Sequence, residues 1–342
     1  MSEIEKAIEK LTKSPMYYLF LASRELFHSN FWVWLSTLNE KETIKLFSDK
    51  KHYGKITFKR EHDQRFQKTI KSKVDLYISN ENNSQSIAIE NKVKDFPTLD
   101  QLDRIKQSFG TSTPELVLTT LFWSNDIVFS GWKVKTYKEI SNTLNPKKFT
   151  NDLYYQNLIQ DYKNFTFNLA TLAENLEINK KYDFAVSNNK NLFQVLDRIK
   201  LWEGYQKMRA SHLIFHFFKE NKHKLNCDYS INHQKATINF FINITKEHTV
   251  GISIEDNQYR KVIGGPNHEK FSKKLMENDV FFDSKWESKN KLKMCSYKPK
   301  WQYQYSPIDK MISYKALFDK INKDFAVIHN NLQKMIKLIP SS

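Results

Sequence analysis

Apolar residues recur every three or four places along the first 40 positions, the repeat that seats one side of a helix on a core. Residues Ser2–Lys13 predict a short polar helix, and Ser14-Pro15 opens a longer one, since proline suits a first helical turn. That second helix runs to about Leu38 and carries Tyr18, Ala22, Glu25, Ser29 and Trp32 on one stripe. The rhythm then changes to that of strands. Ile56–Glu61, Val74–Ile78 and Ile87–Val93 are short strand-like runs, and the turn-rich segment from Asn80 to Ser84 predicts a hairpin between the last two. Thr98–Phe109 returns to helical spacing, with Leu102, Ile105 and Phe109 on its core face. Leu116–Phe122 is a continuous apolar run of the buried-strand kind, and Lys133–Tyr137 adds a strand.

Asp152–Leu176 is again helical, with Leu158, Tyr162, Phe165, Leu169 and Leu172 on one side. The polar stretch Ser187–Lys190 reads as a linker, followed by a helix over Leu192–Lys222. From Cys227 to Glu255 positions alternate, with Ile238, Phe240, Ile242 and Ile244 set against Thr237, Asn239, Phe241 and Asn243. Gly264-Gly265-Pro266 is a turn, Glu269–Met276 a helix, Lys291–Tyr305 strands, and Ile308–Leu338 a closing helix. At 342 residues the chain is long enough for two domains. The pattern divides it into an α/β part over residues 1–145 and, over 146–342, a helical connector followed by an α+β extension.

Strand alternation decides where the charges of the two central runs go. Glu90 and Lys92, two apart, share a face, while Ile87 and Ile89 point to the other and into a core. Val74, Leu76 and Ile78 form one face of the preceding run and leave Asp75 and Tyr77 on the other. Pairing the strands brings two carboxylates and an ammonium together at one sheet end. Two neighbouring carboxylates attract a hard cation such as Mg²⁺, and a lysine beside them holds a phosphate or an attacking water. The Asn91 carbonyl is a candidate third ligand. Glu25 sits among neighbours of buried type, where a carboxylate needs a partner; a shared metal or Lys92 would supply one, and a place at the edge of the stripe facing solvent is the alternative.

The series helix-Glu, strand-Asp, strand-Glu-x-Lys, helix-Gln resembles the PD-(D/E)XK nuclease superfamily. Its members here are Glu25 in Ser-Arg-Glu-Leu-Phe-His-Ser-Asn, Asp75 in Val-Asp-Leu-Tyr-Ile, Glu90 and Lys92 in Ile-Ala-Ile-Glu-Asn-Lys, and Gln101 in Leu-Asp-Gln-Leu. The likeness is to the bacterial branch of uncharacterised or defence-associated nucleases and covers about the first 140 residues. Val74 stands where the name-giving proline would be, a position that carries no chemistry. The resemblance implies a restriction-endonuclease-like mixed sheet flanked by helices and a Mg²⁺-dependent nuclease, with Mn²⁺ able to substitute. It makes Asp75, Glu90, Asn91 and Glu25 the metal ligands, and Glu25, Asp75, Glu90, Lys92 and Gln101 the catalytic set. DNA is the implied substrate and anti-phage defence the implied role. An RNase or tRNA-cleaving toxin on the same scaffold, and a catalytically silent nucleic-acid-binding protein, are the rival readings.

Charge agrees with a polyanionic partner. Lys and Arg number 54 against 38 Asp and Glu, a net charge of +16, although a lysine- and asparagine-rich chain also arises from AT-rich coding. Cys227 and Cys295 are the only cysteines, which excludes a disulfide framework and a cysteine-built zinc site. The charged start and the absence of a membrane-length apolar run predict a cytoplasmic protein. Cutting both strands of a duplex commonly takes two active sites, which raises a homodimer, and a cytoplasmic nuclease needs restraint, which raises an activating partner. His212 and His216 are spaced i, i+4 but lack the glutamate and the third ligand of a zinc helix. Gly264-Gly265 lacks the spacing of a phosphate loop. Lys291, Lys293, Lys298 and Lys300 interleave with Tyr297, Trp301, Tyr303 and Tyr305, a pattern that fits stacking on unpaired bases and fits equally a strand with one packed and one solvated face. Phe31, Trp32 and Trp34 read as core, and His28 as a packing residue behind Glu25.

Overall fold

In a computed structural model the chain forms two compact units, Met1–Ile178 with Ile199–Tyr205, and Asn179–Arg198 with Gln206–Ser342. The structure describes all residues except 1–2, 23, 51–53, 67–69, 82–84, 94–96, 98, 111–113, 122–128, 176–189, 204, 207–209, 211–213, 215–225, 233–234, 256–257, 283–292, 295–300, 309–311 and 341–342; for some others, Glu25 among them, it describes the backbone alone.

The first unit opens with helices α1 (Glu3–Lys13), α2 (Pro15–Ala22), α3 (Arg24–Leu38) and α4 (Glu40–Ile44). Strands β1 (Ile56–Phe66), β2 (Ile70–Asn80) and β3 (Ser86–Lys92) follow, then α5 (Leu99–Ser108), β4 (Glu115–Thr120), β5 (Trp132–Thr136), α6 (Tyr137–Thr143) and α7 (Leu153–Asn175). The five strands lie in chain order in one mixed sheet, with β1, β2 and β3 antiparallel and β3, β4 and β5 parallel. The parallel β3–β4 step needs a crossover, and α5 makes it.

Register assigns the faces. Leu76 pairs with Ile89 and Ile89 with Val117, so these lie on one side together with Asn91 and Thr119. Tyr77, Ala88, Glu90 and Leu118 lie on the other. The Tyr77 side is covered by α5, whose neighbour Phe109 stacks on Tyr77 with ring centres 5.9 Å apart. On the Asn91 side α6 reaches the sheet through Tyr137, and His28 of α3 and Tyr162 of α7 complete that core. Phe31 and Trp32 are buried there as expected, while Trp34 is half-buried beside Tyr155.

Elements of this unit differ from the sequence expectation, beginning with α4, which the apolar pattern did not mark. The polar stretch after Glu61 continues as paired strand, Phe66 against Ile70 through His62 against Val74. That end of the ribbon pairs only with itself, through main-chain bonds that need no apolar alternation. Helix α6 begins directly after β5, capped by Thr136 and Glu139 in a reciprocal capping box. Helix α7, placed beyond residue 145 with a connector, belongs to the first unit because Tyr162, Phe165 and Leu169 bury into its core.

The second unit begins with α8 (Lys190–Arg198) and is built on an antiparallel sheet in the order β10-β11-β9-β8-β7-β6. Its strands are β6 (Asn226–Asn232), β7 (Lys235–Asn243), β8 (Thr249–Glu255), β9 (Gln258–Gly264), β10 (Lys293–Met294) and β11 (Trp301–Pro307). Ile238, Phe240, Val250, Ile252 and Ile254 turn to a core shared with α9 (His268–Glu277) and α10 (Tyr314–Asn330). The closing helix starts later than expected, at a Ser313 cap, and Asn331 separates α10 from α11 (Leu332–Leu338). The long helix expected from Leu192 is interrupted after α8 by Lys200 at φ 57°, in the left-handed region. Among the described residues no helix is long and apolar enough to cross a membrane.

Candidate active site

Asp75 stands where β2 loses its pairing on both sides. Toward β1 the register runs Arg60 with Leu76 and His62 with Val74 but skips the Glu61–Asp75 pair, and Glu61 has φ 47°. A non-glycine residue held there costs on the order of 1 kcal/mol or more, and such outliers gather at functional sites. Toward β3 the ladder stops at Leu76–Ile89. One residue further, the Asp75 side chain replaces the main-chain partner: the Asn91 N–H donates to Oδ2 at 2.7 Å. Oδ1 receives no hydrogen bond from the described residues.

Glu90 lies on the same side of the sheet as Asp75 and is only 4% exposed. A carboxylate this buried survives only when paired and hydrogen-bonded. Lys92 Nζ is 2.9 Å from Oε1, and Gln101 Nε2, from the first turn of α5, donates to the same oxygen at 2.8 Å. Burial pushes the Asp75 carboxyl above the usual carboxylate range, against the Asn91 N–H and the Lys92 charge, which both pull it down. The exposed Glu61–Lys73 pair, at 2.8 Å, adds opposing charges nearby.

Asn91 turns its side chain away from these groups. Fully buried, it accepts hydrogen bonds at Oδ1 from Tyr137 at 2.5 Å and from Thr119 at 3.1 Å. His28 packs its ring 4.5 Å from that of Tyr137, and its Nδ1 is 2.8 Å from the Tyr162 hydroxyl. With no charge to compensate its burial, the His28 pKa falls to about 3. It therefore stays neutral at ordinary pH and is a packing residue.

The structure thus gathers Asp75, Glu90, Lys92 and Gln101 on one side of the sheet, with the Asn91 peptide between them. Glu25 lies on α3, and its side chain is outside the described residues. Ser29, one turn on, is buried. Tyr137 and Thr119 were not among the sequence candidates. The signals for them were Thr136-x-x-Glu139, which fixes where α6 starts, and two threonines ending an otherwise apolar strand.

Among the described residues no three His, Cys, Asp or Glu side chains form a metal-holding group. Mg²⁺ does not require one, since it is commonly held by one or two carboxylates together with water and substrate phosphate. Asp75, with an oxygen open to a ligand, and Glu90 on the next strand fit that donor set.

The remaining candidates play other parts or fall outside. His212, His216, Lys291, Tyr297, Lys298 and Lys300 lie outside the described residues. Trp301, Tyr303 and Tyr305 are half-buried on one side of β11, with the Arg260 guanidinium 4.4 Å above the Tyr303 ring. Trp301 lies so close over Gly264 that a Cβ there would fall 2.8 Å from the ring, which gives that glycine a packing reason. No protein-family model matches this chain, and no curated protein or solved structure is detectably similar to it.

Proposed function

We propose that the protein is a Mg²⁺-dependent nuclease whose first unit has a restriction-endonuclease-like core and whose second unit supplies affinity for nucleic acid. The observation that carries this reading is the gathering of Asp75, Glu90 and Lys92 on one side of the sheet, at the point where β2 parts from β3 and skips one pair with β1. The order of helix, three antiparallel strands, crossover helix and parallel strand supports it as well.

Asp75 and Glu90 are the ligands, with the Asn91 carbonyl as a third and Glu25 as a further contributor. When bound, the cation would polarise the scissile phosphate and lower the pKa of a coordinated water. Lys92 compensates the negative charge that develops on the phosphate and orients the water. Gln101 holds Glu90 from α5, so that the carboxylate keeps its place when Lys92 turns to substrate. The second unit favours nucleic acid by charge, with 28 Lys and Arg against 15 Asp and Glu, a balance of +13. DNA is the substrate the sequence resemblance implies.

The test is cleavage of plasmid DNA, single-stranded DNA and total RNA by purified protein in Mg²⁺, Mn²⁺ and EDTA. Activity that disappears with EDTA and in Lys92→Ala is expected, and robust cleavage by Lys92→Ala would sink the site assignment.

A further inference from the structure

We infer that Tyr137 and Thr119 are positioning residues for the Asp75–Glu90 pair. They clamp the Asn91 side chain on the buried side of β3 and so fix the peptide N–H by which Asn91 holds the Asp75 carboxylate. The inference rests on the metal-binding reading of that pair and assigns its orientation to groups across the sheet.

The argument begins with an amide in the wrong company. Ile87 and Ile89 precede Asn91 on its side of β3, and all three are fully buried. An apolar side chain would fill this place without desolvating a polar group. Asn91 is tolerated because its oxygen takes two hydroxyls, from Tyr137 on α6 and Thr119 on β4. Both donors are themselves fully buried and held from several directions. Tyr137 is the first residue of a capped helix, with His28 packed against its ring and Trp32 stacked at 6.1 Å. Thr119 sits opposite Asn91 in the parallel ladder, with its hydroxyl also 3.5 Å from the Glu90 carbonyl.

Through Asn91 this clamp reaches the site. The Asn91 N–H is the one hydrogen bond that the Asp75 carboxylate receives from the described residues, at a point where the β2–β3 ladder has ended and the β1–β2 ladder skips a pair. A rotation of the Asn91 peptide would therefore move the Asp75 oxygens directly. Partners one step behind metal ligands typically change metal affinity by about 10–100-fold when removed.

The test is Mn²⁺ binding to the intact chain by electron paramagnetic resonance, with thermal unfolding measured on the same samples. Tyr137→Phe and Thr119→Val should each weaken Mn²⁺ by about tenfold. Thr119→Ser, which keeps the hydroxyl, should bind as wild type. Thr43→Val is the control: it removes the 2.8 Å bond from the fully buried Thr43 hydroxyl to the Asn39 carbonyl, and should lower the melting temperature while leaving Mn²⁺ affinity alone. If Tyr137→Phe fails to fold, the Thr119→Val and Thr119→Ser pair decides the matter. Wild-type affinity in folded Tyr137→Phe or Thr119→Val would overturn the positioning role and leave the metal reading standing. A folded wild type that binds no Mn²⁺ would overturn both.

Discussion

The two units differ most in where they keep polarity. The first is nearly balanced in charge, with 26 Lys and Arg against 23 Asp and Glu, yet it buries Glu90, Asn91, Thr119 and His28. The second carries +13, and beside an apolar core running from Ile238 and Phe240 to Leu317 and Ile328 its described residues bury Gln206, Ser253, Ser272 and Gln304 but no carboxylate. Its buried cation, Arg260, is neutralised by both oxygens of Glu255 at 2.6 and 3.0 Å. Buried polar groups are costly unless satisfied, so the grouping of Glu90, Asn91 and Thr119 on two adjoining strands organises the first unit around that stretch. Charge kept outside a core acts at long range on polyanions without specifying geometry. The difference separates chemistry from affinity.

The largest effect should come from breaking that separation at its chemical end. Lys92→Ala is expected to lower cleavage by about 10²–10³-fold or more, the range for losing one preorganised stabilising group. Binding of uncleaved DNA in EDTA should stay within about twofold, measured by fluorescence anisotropy, because one charge among so many contributes little. If binding falls in parallel with cleavage, affinity resides in the first unit and the comparison fails.

Next in size is salt. If the second unit's surplus charge supplies the affinity, binding of the intact chain should fall at least 100-fold between 50 and 200 mM NaCl, since several phosphates release counterions at once. Mn²⁺ affinity at the buried pair should change far less over the same range. A shallow salt dependence of DNA binding would remove the role given to the +13 balance.

How much of this was legible in the sequence follows from the same contrast. Asp75, Glu90 and Lys92 could be placed on a common side because a strand alternates with period two and both strands are flanked by isoleucine and leucine that mark the core. Gln101 was legible from its helix, whose apolar face fixed the direction of the rest. The clamp behind them was not. Tyr137 lies 46 residues from Asn91, and no local pattern tells which strand a helix will cross. The outer half of the β1–β2 ribbon was hidden for the opposite reason: it is paired through the main chain, which any side chain permits, and its sequence carries no apolar alternation.

Acid should separate the units by a smaller margin. His28 remains neutral in the folded protein down to about pH 3, whereas in the unfolded chain its imidazole takes a proton near its ordinary 6.5. Between those limits the unfolded state binds the extra proton, so this contribution to stability is complete above about pH 6.5 and is lost as pH falls, by about 1.4 kcal/mol per unit. Urea unfolding from pH 4.5 to 6.5 should show a slope that shrinks by about one proton in His28→Gln. Hydrogen exchange should place the acid sensitivity in β3 and β4 and spare β7 and β8. An unchanged slope in the variant would mean that His28 is protonated in the folded state.

The smallest effect is the sharpest comparison, because it can be made with matched substitutions. Thr136 caps α6, accepting the Glu139 N–H at 3.2 Å, and Ser313 caps α10, accepting the Ala316 N–H at 3.2 Å. Replacing either with alanine removes a side-chain acceptor at a helix start, and at Thr136 also the hydroxyl's 2.8 Å bond to the Glu139 carboxylate, a loss of about 1 kcal/mol, or about 2–4 °C in melting temperature for a unit of this size. The two losses should be similar in calorimetry. Their consequences should not be, because α6 carries Tyr137 at its first position and α10 belongs to the second unit. Thr136→Ala should therefore weaken Mn²⁺ binding measurably, and Ser313→Ala should leave it at the wild-type value. Equal Mn²⁺ affinities in the two variants would mean that the start of α6 does not govern the site, and that the buried polarity of the first unit serves its stability alone.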